Sequence, residues 1–379
     1  MKIGIVQVAL SHGGAERVGV MLANGFHQHG HQVSILTDLN ERIDYQVEDS
    51  VQIIDFVGKK TNAFLKWMKA IKYIRKYVKK EKPDVLIGIM GLCTLATYLA
   101  SIGLHVPIVM TEHNSFERPE SAPMSFSQRV FKFGINRLYE HITVLTEADR
   151  QYIGNRLKNV IVMPNPLALK PDNAIPNKEK VILASGRLDA WHTKGFDILI
   201  KSFGIIMNNE ELRIKDSGWH LQIAGKGSDE SLTFLRQLCK ENGVENTVDF
   251  LGFRTDIQEL FKTASIFVLS SRYEGFGLVL IEAMSQGCAC VACDYKGRQQ
   301  EIMSPTPSLP RREGVFDVCE NGILCEPDNV EVLANAMTKM IEDDSYRESV
   351  RQNAVDRSRY YSIENTIDRW ELYLKAFVG

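Results

Sequence analysis

Two carboxylates, Glu274 and Glu282, bracket a glycine-rich turn in residues 270–287, SSRYEGFGLVLIEAMSQG, with seven residues between them. The run Ser265–Ser271 is short, apolar and β-rich, which predicts a buried parallel strand. From Gly277 to Gln286 the chain carries helix formers and no proline, which predicts a helix. Between the two lie Glu274, Gly275, Phe276 and Gly277. Glycines at 275 and 277 let the backbone approach a ligand closely. The free amides at the positive end of the following helix, from Leu278 onward, favour an anion such as a diphosphate. Eight positions are a little over two helical turns, so Glu282 is expected below the turn on a related face. One carboxylate can then address a sugar and the other a ribose.

Three more stretches share the order of strand, loop and helix. Val181–Arg187 (VILASGR) reads as a strand, and residues 188–193 lead from it to Lys194, Gly195 and a helical stripe of Phe196, Leu199, Ile200 and Phe203. Lys2–Val8 (KIGIVQV) is followed by the loop SHGGAER, residues 11–17, and a stripe of Val18, Met21, Leu22 and Phe26. Gly13 and Gly14 in that loop admit a ligand close to the backbone. The spacing is not G-x-G-x-x-G, which argues against a nicotinamide site. Thr111, Glu112, His113 and Asn114 follow the apolar strand Pro107–Met110, at a carboxyl end where open α/β sheets bind ligands.

In this order the segments resemble the retaining glycosyltransferases of family 4 over essentially the whole chain. Residues 274–282 are similar to that family's E-x7-E signature, 186–195 to its GRL…KG element and 13–17 to its GGAER loop. The resemblance implies an α/β chain of the GT-B fold, two Rossmann-like doubly wound domains facing across a cleft. It implies that Glu274 and the backbone of Gly275, Phe276, Gly277 and Leu278 hold the donor sugar and its phosphates, while Glu282 grips the ribose. Arg187 and Lys194 would clamp the diphosphate. His113 matches the histidine that contacts the donor sugar near the reacting carbon, Gly13 and Gly14 match the loop that faces the donor, and Gly225, Gly227 and Arg254 fall where base and phosphates are approached. The loop LDAWHT is longer than the family's usual one, so Lys194 takes its place only if Trp191 and His192 bulge outward. Fixed cations stabilise charge on a leaving diphosphate where it develops. No metal and no cofactor are therefore expected. The implied partners are a nucleotide sugar, with UDP the favoured nucleotide, and a glycan or polyprenyl-linked acceptor, in a retaining hexosyl or N-acetylhexosaminyl transfer. A UDP-sugar epimerase of the same fold and a non-catalytic nucleotide-sugar-binding protein are the alternatives.

The rest of the chain must position these groups. A length of 379 residues with 44% apolar and 24% charged content suits a two-domain globular protein. Residues 1–165 alternate strand and helix patterns, residues 163–178 carry four prolines and read as a hinge, and 178–358 alternate again. By the resemblance, a helix at about 360–379 crosses back onto the first domain. The start reads as a strand rather than a signal peptide and no apolar run approaches a membrane span, so a cytoplasmic protein is expected. The seven cysteines are expected as reduced thiols, with Cys288, Cys290 and Cys293 alternating along a buried strand rather than binding metal. Residues 304–314, with three prolines and no periodicity, read as an inserted surface loop.

Charge is unevenly spread. From Lys59 to Lys82 ten basic residues accompany one acid, Glu81, in a helical pattern. Phe64, Trp67, Met68, Ile71, Ile74 and Val78 form its apolar stripe, and lysines fall mostly on the other side. Such a helix over 62–82 either docks on an anionic membrane face or packs its stripe on the first sheet. Nucleic acid is disfavoured, because the cations occupy one helix with no recognition motif.

Overall fold

The structure, a computed structural model, describes residues 1–379 apart from 12, 41–42, 59–61, 121, 173–176, 212–213, 304–313 and 379, and the side chains of 215–216. Except for Gly314, the proline-rich segment 304–314 lies outside the described residues. Two compact units are present, Met1–Ala168 with Tyr361–Gly379, and Leu169–Tyr360.

The first unit holds strands β1 Lys2–Val6, β2 Gln32–Thr37, β3 Gln52–Asp55, β4 Val85–Ile89, β5 Ile108–Thr111, β6 His141–Val144 and β7 Val160–Val162. They form one parallel sheet in the order β3-β2-β1-β4-β5-β6-β7. After Lys2, its central strands β1 and β4 are apolar and buried, as expected where helices cover both faces. Strand β3 went unseen in the sequence because it has four residues at a sheet edge and no apolar alternation. Helix Ile363–Val378 belongs to this unit. Ile367, Trp370 and Leu374 are buried along it, and Ile367 lies so near Gly25 of helix Gly14–Gln28 that a Cβ there would come within 2.7 Å.

The basic helix Ala63–Glu81 is held at its start by Asn62, whose side chain accepts from the Leu65 amide. Its inner face differs from the expected stripe. Ala70, Ile74, Tyr77 and Val78 are buried, and Trp67 and Ile71 pack beside them on the sheet. Phe64 and Met68, both assigned to the stripe, instead stand 71% and 47% exposed, next to Leu65. The apolar face drifts around the helix, so its amino-terminal turn never reaches the core.

The second unit holds β8 Glu179–Ser185, β9 His220–Ala224, β10 Val248–Gly252, β11 Ala264–Leu269, β12 Ala289–Cys293, β13 Asp317–Cys319 and β14 Gly322–Cys325. The order is β10-β9-β8-β11-β12-β14-β13, parallel except for the β13–β14 pair. All seven cysteines are free thiols; Cys290 and Cys293 lie within β12 with Cys288 just before it, and all three are buried.

Candidate active site

In each sheet the strand order reverses at one point, between β1 and β4 and between β8 and β11. The carboxyl ends of strands at such a point diverge and leave a crevice for ligands. In the second unit the two strands at the reversal carry the two main motifs. Strand β8 ends at Ser185 and leads into Gly186 and Arg187, and β11 leads into the turn of Glu274.

The loop after Arg187 does not bulge outward as a whole. It coils into a 3-10 turn, Leu188–Ala190, and a single helical turn, Trp191–Lys194. Trp191 stacks on Phe234 with ring centroids 4.3 Å apart, while His192 and Thr193 are exposed. An aromatic partner on helix Asp229–Glu241 absorbs the extra length. The turn ends on Gly195 at φ 65, where a Cβ would lie 1.9 Å from the Ser270 carbonyl oxygen. Only glycine fits there, since its backbone is left-handed and abuts the end of β11.

This closure brings two candidates together across the reversal. Lys194 Nζ donates to Glu274 Oε1 at 2.6 Å, and Ser271 Oγ donates to the same oxygen at 2.8 Å. Glu274 Oε2 has no hydrogen-bond partner among the described residues. Side-chain exposure of 24% for Lys194 and 14% for Glu274 places the pair at a partly open surface rather than in the core.

Gly277, at φ 95 and ψ 52, starts helix Leu278–Ser285, and no side chain caps that end. The helix begins four residues after Glu274, so the two glutamates do not share a helical face. Glu274 belongs to the turn, and Glu282 is a buried member of the helix, 6% exposed. Gln299 Nε2 donates to the Phe276 carbonyl at 3.4 Å and braces the turn from behind.

The remaining candidates of this unit are more spread. Arg187 is exposed and contributes to holding the Asp189 carboxyl below its usual range, after the bonds that Asp189 accepts from Ser228 and Ser231. Gly225 lies against Gly186, where a Cβ would meet its carbonyl oxygen at 1.7 Å. Gly227 likewise lies close to Leu188. Arg254 stands after edge strand β10, its fork closed on Asp256 at 2.6 and 2.8 Å.

In the first unit Gly13, extended at φ −111, precedes helix Gly14–Gln28 without a side-chain cap. The Glu16 carboxylate folds back over Gly13, and Tyr45 Oη donates to its carbonyl oxygen at 3.0 Å. His12 lies outside the described residues.

His113 follows β5 and is held at both nitrogens. Nε2 lies 3.0 Å from Thr111 Oγ1 and Nδ1 lies 3.0 Å from Asn165 Oδ1. The loop beneath it is fixed by Lys132, whose ammonium reaches Glu112 at 3.3 Å and the Asn114 and Ser115 carbonyls at 3.1 and 2.8 Å. Asp149 completes the anchor by accepting from the Phe116 amide and the Ser115 hydroxyl, both at 2.8 Å.

Burial pushes His113 down to about 4, and the Asn165 bond only partly opposes that. The ring is thus neutral near pH 7, with Nδ1–H donating to Asn165 Oδ1, while the Thr111 hydroxyl beside Nε2 donates to the Gly88 carbonyl at 3.1 Å. Its folded value lies below the unfolded one, so its contribution to stability is complete above about 6.5 and is lost as pH falls toward 4. An NMR titration of the imidazole Cε1–H is expected to show a midpoint near 4; a midpoint at 6.5 would mean the ring is solvated.

Comparison with known proteins decides what this scaffold is. The family model "Glycosyl transferases group 1" matches residues 167–357, and "Glycosyltransferase Family 4" matches 12–170. The chain is a group 1 glycosyltransferase. It is 28% identical to an uncharacterized glycosyltransferase of Haemophilus influenzae, over 95% of this chain and 96% of the other. It is 25% identical to a Campylobacter jejuni α-1,4-N-acetyl-D-galactosaminyltransferase that acts on a diphosphate-undecaprenol-linked glycan, over 98% and 97%. Anabaena HepE in complex with UDP and glucose superposes with a TM-score of 0.75 at 19% identity, covering all of both chains. The GT-B fold of this glycosyltransferase is thereby fixed.

Several residues that shape the site carry no sequence signal. Thr111 and Asn165 orient His113 from positions 2 and 52 residues away. Arg272 and Asp197 form a two-pronged pair across 75 residues. Arg272 lies two residues before the glutamate motif, yet nothing in the sequence says that it pairs with Asp197.

Proposed function

We propose that this glycosyltransferase transfers a sugar with retention from a nucleotide sugar, UDP-linked, to a glycan or polyprenyl-linked acceptor in surface polysaccharide synthesis. The observation that carries the proposal is the Lys194–Glu274 pair set beside the uncapped helix at Gly277. An ammonium, a carboxylate with one oxygen unengaged, and a helix amino terminus with no side-chain cap are the groups needed for a sugar diphosphate. Relatives support the substrate classes, since HepE binds UDP and glucose and the Campylobacter enzyme uses an undecaprenol-linked acceptor.

In this reading Arg187, Lys194 and the amides of Gly275 to Leu278 take the diphosphate, Glu282 takes the ribose hydroxyls, and Glu274 Oε2 takes a sugar hydroxyl. Gly225 and Gly227 leave room for the nucleotide, with Arg254 at the margin, and Gly13 and Gly14 play the matching part in the first unit. His113 serves as a neutral hydrogen-bonding group near the sugar rather than as a cation. The bond from the anomeric carbon to the β-phosphate oxygen breaks as the acceptor oxygen bonds that carbon on the same face. The acceptor proton passes to the departing phosphate. Negative charge grows on the diphosphate, where the fixed cations act without a divalent ion.

Membership of a glycosyltransferase family leaves the epimerase reading without support. The discriminating experiment incubates the protein with UDP-glucose, UDP-N-acetylglucosamine or UDP-N-acetylgalactosamine, with and without polyprenyl-diphosphate-linked sugars. UDP release that rises with acceptor is expected. A donor isomerised without acceptor would contradict the transferase.

No helix among the described residues is long and apolar enough to cross a membrane. We place a peripheral contact with the inner face of the plasma membrane on the outer side of helix Ala63–Glu81. There Phe64, Leu65, Met68 and Tyr73 are exposed beside Lys72, Lys76, Lys79 and Lys80. Each lysine at an anionic surface adds about 1 kcal/mol. Sedimentation with phosphatidylglycerol vesicles is expected to fall sharply in Phe64→Ser/Leu65→Ser, and unchanged sedimentation would remove the contact.

A further inference from the structure

We propose that Arg272 is a positioning residue for the transfer reaction, holding the Lys194 ammonium in register with the Glu274 turn. The inference rests on the assignment of Lys194 to the diphosphate made above. Lys194 ends a helical turn of four residues, Trp191–Lys194. A segment that short has no stability of its own and takes its place from tertiary contacts.

Ser270 Oγ donates to the Lys194 carbonyl at 2.8 Å and Trp191 stacks on Phe234, and further contacts come from Arg272. Its amide donates to the Thr193 carbonyl at 2.9 Å, and its Nη1 donates to the His192 carbonyl at 2.5 Å. Nη1 and Nη2 also grip the two oxygens of Asp197 at 2.7 and 2.8 Å, while Nε donates to Asp328 at 2.8 Å. One guanidinium therefore fastens the chain on both sides of Lys194, at 192 and at 197. Its own backbone lies two residues before Glu274, so the same group sets both partners of the 2.6 Å pair.

Arg272 is not itself a phosphate ligand. Two carboxylates already match its charge, and its side chain is only 16% exposed. Its action has to pass through Lys194. The fork is also specific to arginine, because a lysine ammonium is a single point charge and cannot hold Asp197 at both oxygens while reaching the 192 carbonyl.

The test is a double-mutant cycle in the full-length protein. Arg272→Lys and Arg272→Met are each made alone and with Lys194→Ala. Rates of UDP release are read with whichever of UDP-glucose, UDP-N-acetylglucosamine and UDP-N-acetylgalactosamine the unmodified protein consumes, beside thermal midpoints. Each Arg272 substitution is expected to lower kcat about tenfold or more with Lys194 present and less than about twofold once it is alanine, the coupling of residues that act as a unit. Equal losses in both backgrounds would show general destabilisation and overturn the proposal. Asp328→Ala, at a side chain 66% exposed, gives the same cycle in a variant that keeps the core intact. A small kcat loss that vanishes without Lys194 is expected there, and a loss independent of Lys194 overturns the proposal even if the Arg272 variants do not fold. Full activity of Lys194→Ala alone is a distinct result, which removes the diphosphate assignment and this proposal with it.

Discussion

Lys194→Ala is expected to lower kcat by about 10²–10³ while changing the affinity for intact nucleotide sugar only a few-fold. The reasoning is electrostatic. The ammonium has a carboxylate partner in Glu274, so it gives little to a ground-state donor whose charge is spread over two phosphates. As the bond to the sugar breaks, a further charge localises on the β-phosphate, and a preorganised cation stabilises that state more than the one before it. A substitution that removes only such an interaction lowers kcat and kcat/KM together. Steady-state rates of UDP release across donor concentrations check this. Wild-type kcat in the variant, or a loss confined to KM, would contradict the assignment.

Glu282→Ala is expected to weaken donor binding by about 10–150-fold, the range of a hydrogen bond to a charged group worth about 1.5–3 kcal/mol. Glu282 is 6% exposed and belongs to helix Leu278–Ser285, so its carboxylate is fixed before the donor arrives. Glu282→Gln keeps the shape and separates lost charge from lost packing. Calorimetry with UDP and with 2′-deoxy-UDP provides the check. In the variant the two ligands are expected to bind alike, and a surviving preference for the ribose hydroxyl would remove Glu282 from that role.

The parts of this molecule that were readable from sequence are those where local chemistry alone decides. Strands such as β4 and β11 announce themselves as apolar runs because both faces of a parallel sheet are covered. Glycines at 195 and 277 mark left-handed backbone that other residues avoid. What stayed hidden depends on tertiary partners. The glutamate spacing places Glu282 below the turn, while the placement of Glu274 follows from Ser271 and Lys194. The stripe on helix Ala63–Glu81 was drawn through Phe64 and Met68, while the sheet reaches only from Trp67 onward. The place of Lys194 is conditional on how residues 188–193 are accommodated, and Phe234, 43 positions along the chain from Trp191, settles the side chain of Trp191. The enclosure of His113 and its partners Thr111 and Asn165 likewise come from the fold.

The most direct measurement compares UDP with the intact UDP-sugar by calorimetry in EDTA, for the unmodified protein and for Lys194→Ala. UDP carries the charge that develops on the leaving group, so the variant is expected to lose about tenfold or more affinity for UDP and only a few-fold for the sugar nucleotide, with no divalent ion present. Equal losses for the two ligands, or UDP binding that needs added Mg²⁺, would contradict neutralisation of the diphosphate by the protein's own cations.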